Sequence, residues 1–223
     1  ECFAAIAMSE YAIASGDKSY AQKALALFKQ ILHFINTKGI LAPKYCEGVE
    51  MQGHSITMIL INTAARIREA IPAVELDEQI SLSIETLQRY FIHPEFEALL
   101  ETVGPNGEFI DTIVGHTINP GHCIETAWFL LEEAKYRGGD PQLTEVAVKI
   151  LDWSWNWGWD KEYGGLINFR DCKGLPVQDY SQDMKFWWPQ TEAIIATLYA
   201  YEATGEERFL RMHQQISDWT YAH

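Results

Sequence analysis

A phrase that this 223-residue chain repeats four times limits its fold most: an apolar run, a short turn carrying an acid, then a run apolar on one side only. The turn acids Asp17, Asp77, Asp140 and Glu206 are spaced by 60, 63 and 66 residues. A regular period of that size marks an array of helical hairpins. In each unit the first run is the more uniformly apolar. A helix apolar all round is buried and a one-sided helix faces water. Residues 3–15, 54–68, 120–135 and 189–203 are therefore expected as inner helices, with their partners outside them. The expected fold is all-α, a closed toroid of helical hairpins, with an open solenoid as the alternative. Toroids of this kind usually hold about six hairpins, so about four of six are present. The chain is read as one domain over residues 1–223, incomplete at both ends, because it opens at Glu1 and stops at His223 within a polar-aromatic stretch.

The joints between hairpins, residues 39–53, 93–121 and 158–189, are long and rich in Gly, Pro, Trp and Tyr. Long loops in a compact domain are usually functional. All three precede inner helices, so their ends gather at one face, and residues 165–169 are expected to form a small β-ribbon there. The acids outnumber the bases enough to give a net charge of −14. With no Lys/Arg cluster to neutralise phosphates, nucleic acid is excluded as a partner. No apolar run approaches the ~20 residues of a membrane span and no secretory signal is recognisable, so a cytoplasmic protein is expected. Cys2, Cys46, Cys123 and Cys172 lack C-x-x-C pairing, which points to reduced thiols.

Three inner-helix mouths are expected to converge on one cavity. The first offers Glu50 and His54. The second offers His116, Asn119, His122 and Glu125, and the third Lys185, Trp187, Trp188, Gln190 and Glu192. Residues 115–125, G-H-T-I-N-P-G-H-C-I-E, carry a helix-start signature, and His122 and Glu125 lie on one helical face. A histidine titrating near neutrality beside a carboxylate is a proton-transfer arrangement. Aromatic faces flanked by His, Glu, Gln and Asn fit a sugar, the rings on its C–H faces and the polar groups on its hydroxyls. His33, His93 and His213 fall at expected surface positions. The run Trp153, Trp155, Trp157 and Trp159 reads as packing, with Trp159 near the cavity. A metal is not expected, since no H-x-x-x-H or H-E-x-x-H pair occurs. Glycoside hydrolysis by paired carboxylates is the rival chemistry.

Three motifs resemble the N-acylglucosamine 2-epimerase family, also known as renin-binding proteins: N-P-G-H-C-I-E-T-A-W-F-L-L at residues 119–131, G-W-D-K-E-Y-G-G-L at 158–166 and D-M-K-F-W-W-P-Q-T-E-A at 183–193. The resemblance implies an (α/α)6 barrel. It also implies a homodimer and a cofactor-free enzyme that inverts C2 of a free N-acylhexosamine in its open-chain form, using two histidines as acid and base. Aldose–ketose isomerases and cellobiose 2-epimerases share the fold, and a non-catalytic sugar-binding protein is the other class left open. The first catalytic histidine matches His122, Glu125 resembles its orienting carboxylate, and Glu192 matches a second functional acid. Trp188, Gln190, Asn119, Trp187, Lys185 and His54 are the expected substrate contacts. The family's second catalytic histidine belongs to an F-H-x-P-R-like C-terminal segment that this sequence lacks. Some members bind a nucleotide activator, but no Gly-rich phosphate loop occurs here.

Overall fold

The computed structural model of the protein describes residues 1–37 and 50–223. The start of the first joint and Cys46 lie outside the described residues. Eight α-helices follow one another among them: α1 Cys2–Ser15, α2 Lys18–Asn36, α3 His54–Ala70, α4 Val74–Thr86, α5 Pro120–Tyr136, α6 Pro141–Gly158, α7 Trp187–Thr204 and α8 Glu207–Ala222.

The turn acids act in different ways. Asp17 caps α2 by accepting from Ser19 N at 3.0 Å, and Asp140 caps α6 by accepting from Gln142 N and Leu143 N at 3.0 and 3.1 Å. Each satisfies donors that the first helical turn leaves without an intrahelical acceptor. Asp77 is no cap. It lies in the first turn of α4 and holds Arg68 of α3 at 2.7 Å. Glu206 precedes α8 without a side-chain cap bond and pairs with Arg208 instead.

The described residues fall into two compact units. The first comprises residues 1–37, 50–51 and 55–88. There α1 meets α2 through a stripe of Ala5, Ser9 and Ala12 at helical spacing, while Phe3, Tyr11 and Ile13 are exposed. The expected order of burial fails for this pair, because α1 buries three of 14 residues and α2 four of 19. An apolar composition buries a helix only on the sides that a neighbour covers. In the second hairpin the expectation holds, α3 being more buried than α4.

The second unit comprises residues 52–54 and 89–223. Its core is centred on α5, which buries eleven of its 17 residues against six of 18 in α6. Ile124, Leu130 and Leu131 of α5 and Ala147, Ile150 and Leu151 of α6 are at most 1% exposed. Each large aliphatic among them contributes roughly 1.5–3 kcal/mol by leaving water. α7 packs on the other flank of α5 with the small residues Ala193, Ala196 and Ala200 buried, and α8 covers α7.

Short antiparallel ribbons hold the joints of this unit. β1 (Gln52–Gly53) pairs with β4 (Thr102–Val103), β2 (Ile92–His93) with β3 (Ala98–Leu99), and β5 (Thr117–Ile118) with β6 (Arg170–Asp171). The ribbon expected at residues 165–169 is instead a single bridge from Trp159 to Leu166, with the true strand beginning at Arg170. Trp159 stacks flat on Trp155 at 4.8 Å. His93, expected at the surface, is 8% exposed, with its ring nitrogens on Glu95 Oε1 and Tyr90 O.

The start of α5 is fixed by close approach. A Cβ on Gly158, the last residue of α6, would stand 2.5 Å from Pro120 Cβ. Gly158→Ala should therefore lower stability by ~1–3 kcal/mol in urea unfolding, although alanine is the better helix former. Unchanged or raised stability would show that Pro120 moves aside without cost.

Candidate active site

The site is built at the N-terminus of α5. Pro120 at the first helical position needs no acceptor for a backbone N–H. Asn119 is the cap, its Oδ1 accepting from His122 N at 3.1 Å. This presents the His122 ring at the mouth of the helix with its side chain 28% exposed.

Opposite stands Glu101, one residue before β4. The β1–β4 ladder continues into it, since His54 N donates to Glu101 O at 2.9 Å, and Glu101 N donates to Thr117 O at 2.9 Å. With both backbone groups tied, the side chain has a fixed origin. Its Oε1 lies 3.0 Å from His122 Nδ1 and 3.3 Å from His54 Nδ1. His54 is fully buried, and its Nε2 lies 2.9 Å from Thr126 Oγ1. The two imidazole centres are 6.5 Å apart. Burial alone would push the Glu101 carboxyl up; the His122 charge and the hydrogen bonds from both histidines outweigh it and hold Glu101 well below the usual carboxylate range.

Trp188, in the first turn of α7, closes the other side, its ring 5.3 Å from the His122 ring at 37°. Only glycine fits beneath it, because a Cβ on Gly121 would come within 2.5 Å of the indole. One turn deeper, Glu192 Oε2 accepts from Trp128 Nε1 at 2.7 Å. Burial raises the Glu192 carboxyl, and the Trp128 bond draws it partly back. Glu125 is pushed up to about 7, first by burial and then by the charge of Glu192, with His122 pulling the other way. The site thus sets a strongly ionised carboxylate, an imidazole and a carboxyl titrating near neutrality side by side, a distribution suited to moving protons.

The family model for N-acylglucosamine 2-epimerase (GlcNAc 2-epimerase) matches residues 1–223. The chain belongs to the N-acylglucosamine 2-epimerase family. The N-acylglucosamine 2-epimerase of Bos taurus is 33% identical over 230 residues, which cover 99% of this chain and 53% of that protein. The chain spans about half the length of the curated relatives it matches. Among solved structures it is similar to a cellobiose 2-epimerase from Bacillus thermoamylovorans, with a TM-score of 0.83 at 19% identity, covering 99% of this chain and 58% of that one. An alpha-mannanase of glycoside hydrolase family 76 from Bacteroides thetaiotaomicron has a TM-score of 0.74 at 14% identity, over 99% of this chain and 59% of that one. These are (α/α)6-barrel proteins, and the four hairpins here have that fold.

Of the residues expected at the site, the structure gathers His122, Glu125, Glu192 and Trp188. The carboxylate on Nδ1 of His122 is Glu101 rather than Glu125. Sequence reasoning missed it, because Glu101 lies 21 residues upstream in a stretch without periodicity. Several expected sugar contacts make hydrogen bonds or ion pairs within the protein. Gln190 is 1% exposed, its Oε1 accepting from Leu166 N and its Nε2 donating to Leu166 O and Phe186 O. Asn119 is the helix cap, its Oδ1 on His122 N, and His54 is fully buried. Lys185 is tied to Asp160 at 2.7 Å, and Trp187 points away into solvent, 76% exposed. His116 lies apart from His122, held between Asp111 at 2.7 Å and Asp171 at 3.0 Å. A cavity of roughly 1070 Å³ at the opposite ends of α5 and α7, lined by Leu131, Trp153 and Tyr199, holds none of the proton-handling groups. Among the described residues no cluster of three His, Cys, Asp or Glu side chains could hold a metal.

Because Glu125 keeps its proton up to about pH 7 when folded and loses it near 4.5 when unfolded, the folded state binds more protons between these values. Stability therefore falls as pH rises through that window. Glu125→Gln should abolish this contribution, gaining on the parent by on the order of 2–3 kcal/mol between pH 4.5 and 7.5 in denaturant titrations. A constant difference across the window would contradict the raised carboxyl.

Proposed function

We propose that the whole protein interconverts N-acetylglucosamine and N-acetylmannosamine, inverting C2 of the free open-chain sugar by histidine-mediated proton transfer through an enolate. The observation that carries this reading is the seating of His122, its Nδ1 3.0 Å from Glu101 and its ring under Trp188. A C2–H is acidic only when C1 is a carbonyl, so the sugar reacts in its ring-opened form. The abstracting base must be poised near neutral pH, which imidazole supplies without large tuning. As C2 loses its proton, charge develops on the carbonyl oxygen, and a donor aimed there lowers the barrier. Gln190 and Lys185, expected among the substrate contacts, bond the Leu166 carbonyl and Asp160. Glu125 is protonated for part of the neutral range and acts as the donor. Trp188 offers an apolar face to the sugar.

Family resemblance also supports a cofactor-free homodimer as part of this proposal. No helix among the described residues is long and apolar enough to cross a membrane.

The test offers N-acetylmannosamine, N-acetylglucosamine, mannose and cellobiose separately to the whole protein in deuterated water and follows C2 by NMR. Deuterium entering C2 of an N-acylhexosamine is expected. His122→Ala should cut that exchange by ~10²–10⁴-fold, the typical loss for a general acid–base group. Trp188→Ala should mainly raise KM, by several-fold, since it removes binding common to ground and transition states. Equal losses of turnover in both variants would overturn the division of roles. No turnover of any sugar would replace the epimerase with a sugar-binding protein.

A further inference from the structure

We propose that Glu101 is the positioning residue of this site, fixing both the tautomer and the orientation of His122. The proposal rests on the reading of His122 as the base, and its argument is one of hydrogen positions. A carboxylate held ionised has no proton to give, so each imidazole nitrogen facing it must be a donor. Both facing atoms are Nδ1, and both reach the same oxygen, Oε1. Neutral His122 therefore carries its proton on Nδ1 and its lone pair on Nε2, the nitrogen turned from Glu101. The base is selected by the carboxylate that its other nitrogen binds.

The contact belongs to a closed circuit. From the His122 ring it runs to Glu101 Oε1, on to His54 Nδ1, and through His54 Nε2 to Thr126 Oγ1. The Thr126 hydroxyl, donating to the carbonyl of His122 itself at 2.9 Å, closes the circuit when His54 Nε2 is the donor to Thr126 Oγ1, because the one hydroxyl proton serves either that carbonyl or His54 Nε2. The ring of His122 is thus referred back to its own backbone through three other side chains, and rotation about its χ angles breaks the circuit. His54, fully buried and 5.8 Å from Phe91, is the rigid strut. The circuit also assigns a use to His54 and Thr126, which substrate contact cannot explain.

The charge acts with the geometry. Facing His122 are Glu101 from the segment before β4, His54 from the start of α3, and Glu125 on α5 itself. From α7 come the ring of Trp188 and, beyond Glu125, Glu192. Glu101 is the one of these carboxylates held firmly ionised, so it favours the imidazolium formed when His122 takes a proton.

The test reads histidine nitrogens in the ¹⁵N-labelled whole protein by two-bond ¹H–¹⁵N NMR, with His122→Gln to assign the signals, and needs no substrate. Above its titration midpoint, His122 is expected as the Nδ1–H tautomer, the reverse of the Nε2–H form that a free side chain favours. Glu101→Gln keeps size and removes charge, and it should lower the His122 midpoint by about one pH unit or more. Glu101→Ala should return His122 to the Nε2–H form. His122 found as Nε2–H in the parent protein overturns the proposal. So does a midpoint unmoved in Glu101→Gln, a result that stands even where the alanine variant fails to fold. Absence of sugar turnover leaves these readouts intact, so failure of the epimerase reading and failure of Glu101 as positioner are told apart.

Discussion

The site depends on one carboxylate oxygen shared by two imidazoles. Glu101 Oε1 receives His122 and His54 together, in a place where burial alone would protonate the group. An ion in such surroundings persists only when its partners repay the desolvation, and removing one partner is far costlier than the pair is worth. The ribbons around it follow from that requirement. The β1–β4 pair and the Glu101–Thr117 bond hold the backbone on both sides, so the carboxylate meets both rings without searching rotamers. Cap, proline and glycine then fix the start of α5, with Pro120 against Gly158 and Gly121 against Trp188.

Much of the fold was legible because hairpin repeats write themselves as composition. The alternation of evenly apolar and one-sided runs located the helices, and a helix buried on many sides, such as α5, needs apolar residues all round. The turn acids were a looser guide, since Asp17 and Asp140 are caps while Asp77 is an ion-pair partner inside a helix. Burial of α1 was misread because composition tells which faces can be covered and not which are.

The site was legible where chemistry coincides with a helix start. N-P-G-H announces a cap, a proline at the first turn and a histidine at the mouth, and the structure places His122 there. Polar residues near that mouth were assigned to a sugar because their backbone partners could not be seen. Gln190 and Asn119 satisfy main-chain groups instead, the commoner fate of a buried amide. Glu101 was invisible for the opposite reason. It comes from an irregular segment, and nothing in the sequence tells that a carboxylate 21 residues before His122 returns to its ring.

In the proposed reaction the roles divide by environment: an ionised carboxylate that orients, an imidazole that exchanges the proton, and a carboxyl near neutrality that donates to the developing oxyanion. The most direct measurement is a crystal structure of the whole protein with an open-chain N-acylhexosamine alditol, which mimics the ring-opened sugar and cannot react. The account predicts C2 at ~3–3.5 Å from His122 Nε2, the distance of a near-attack geometry, with Trp188 against the sugar and Glu101 still on Nδ1. An alditol with C2 nearest another side chain, or seated in the cavity lined by Leu131 and Trp153, would contradict it.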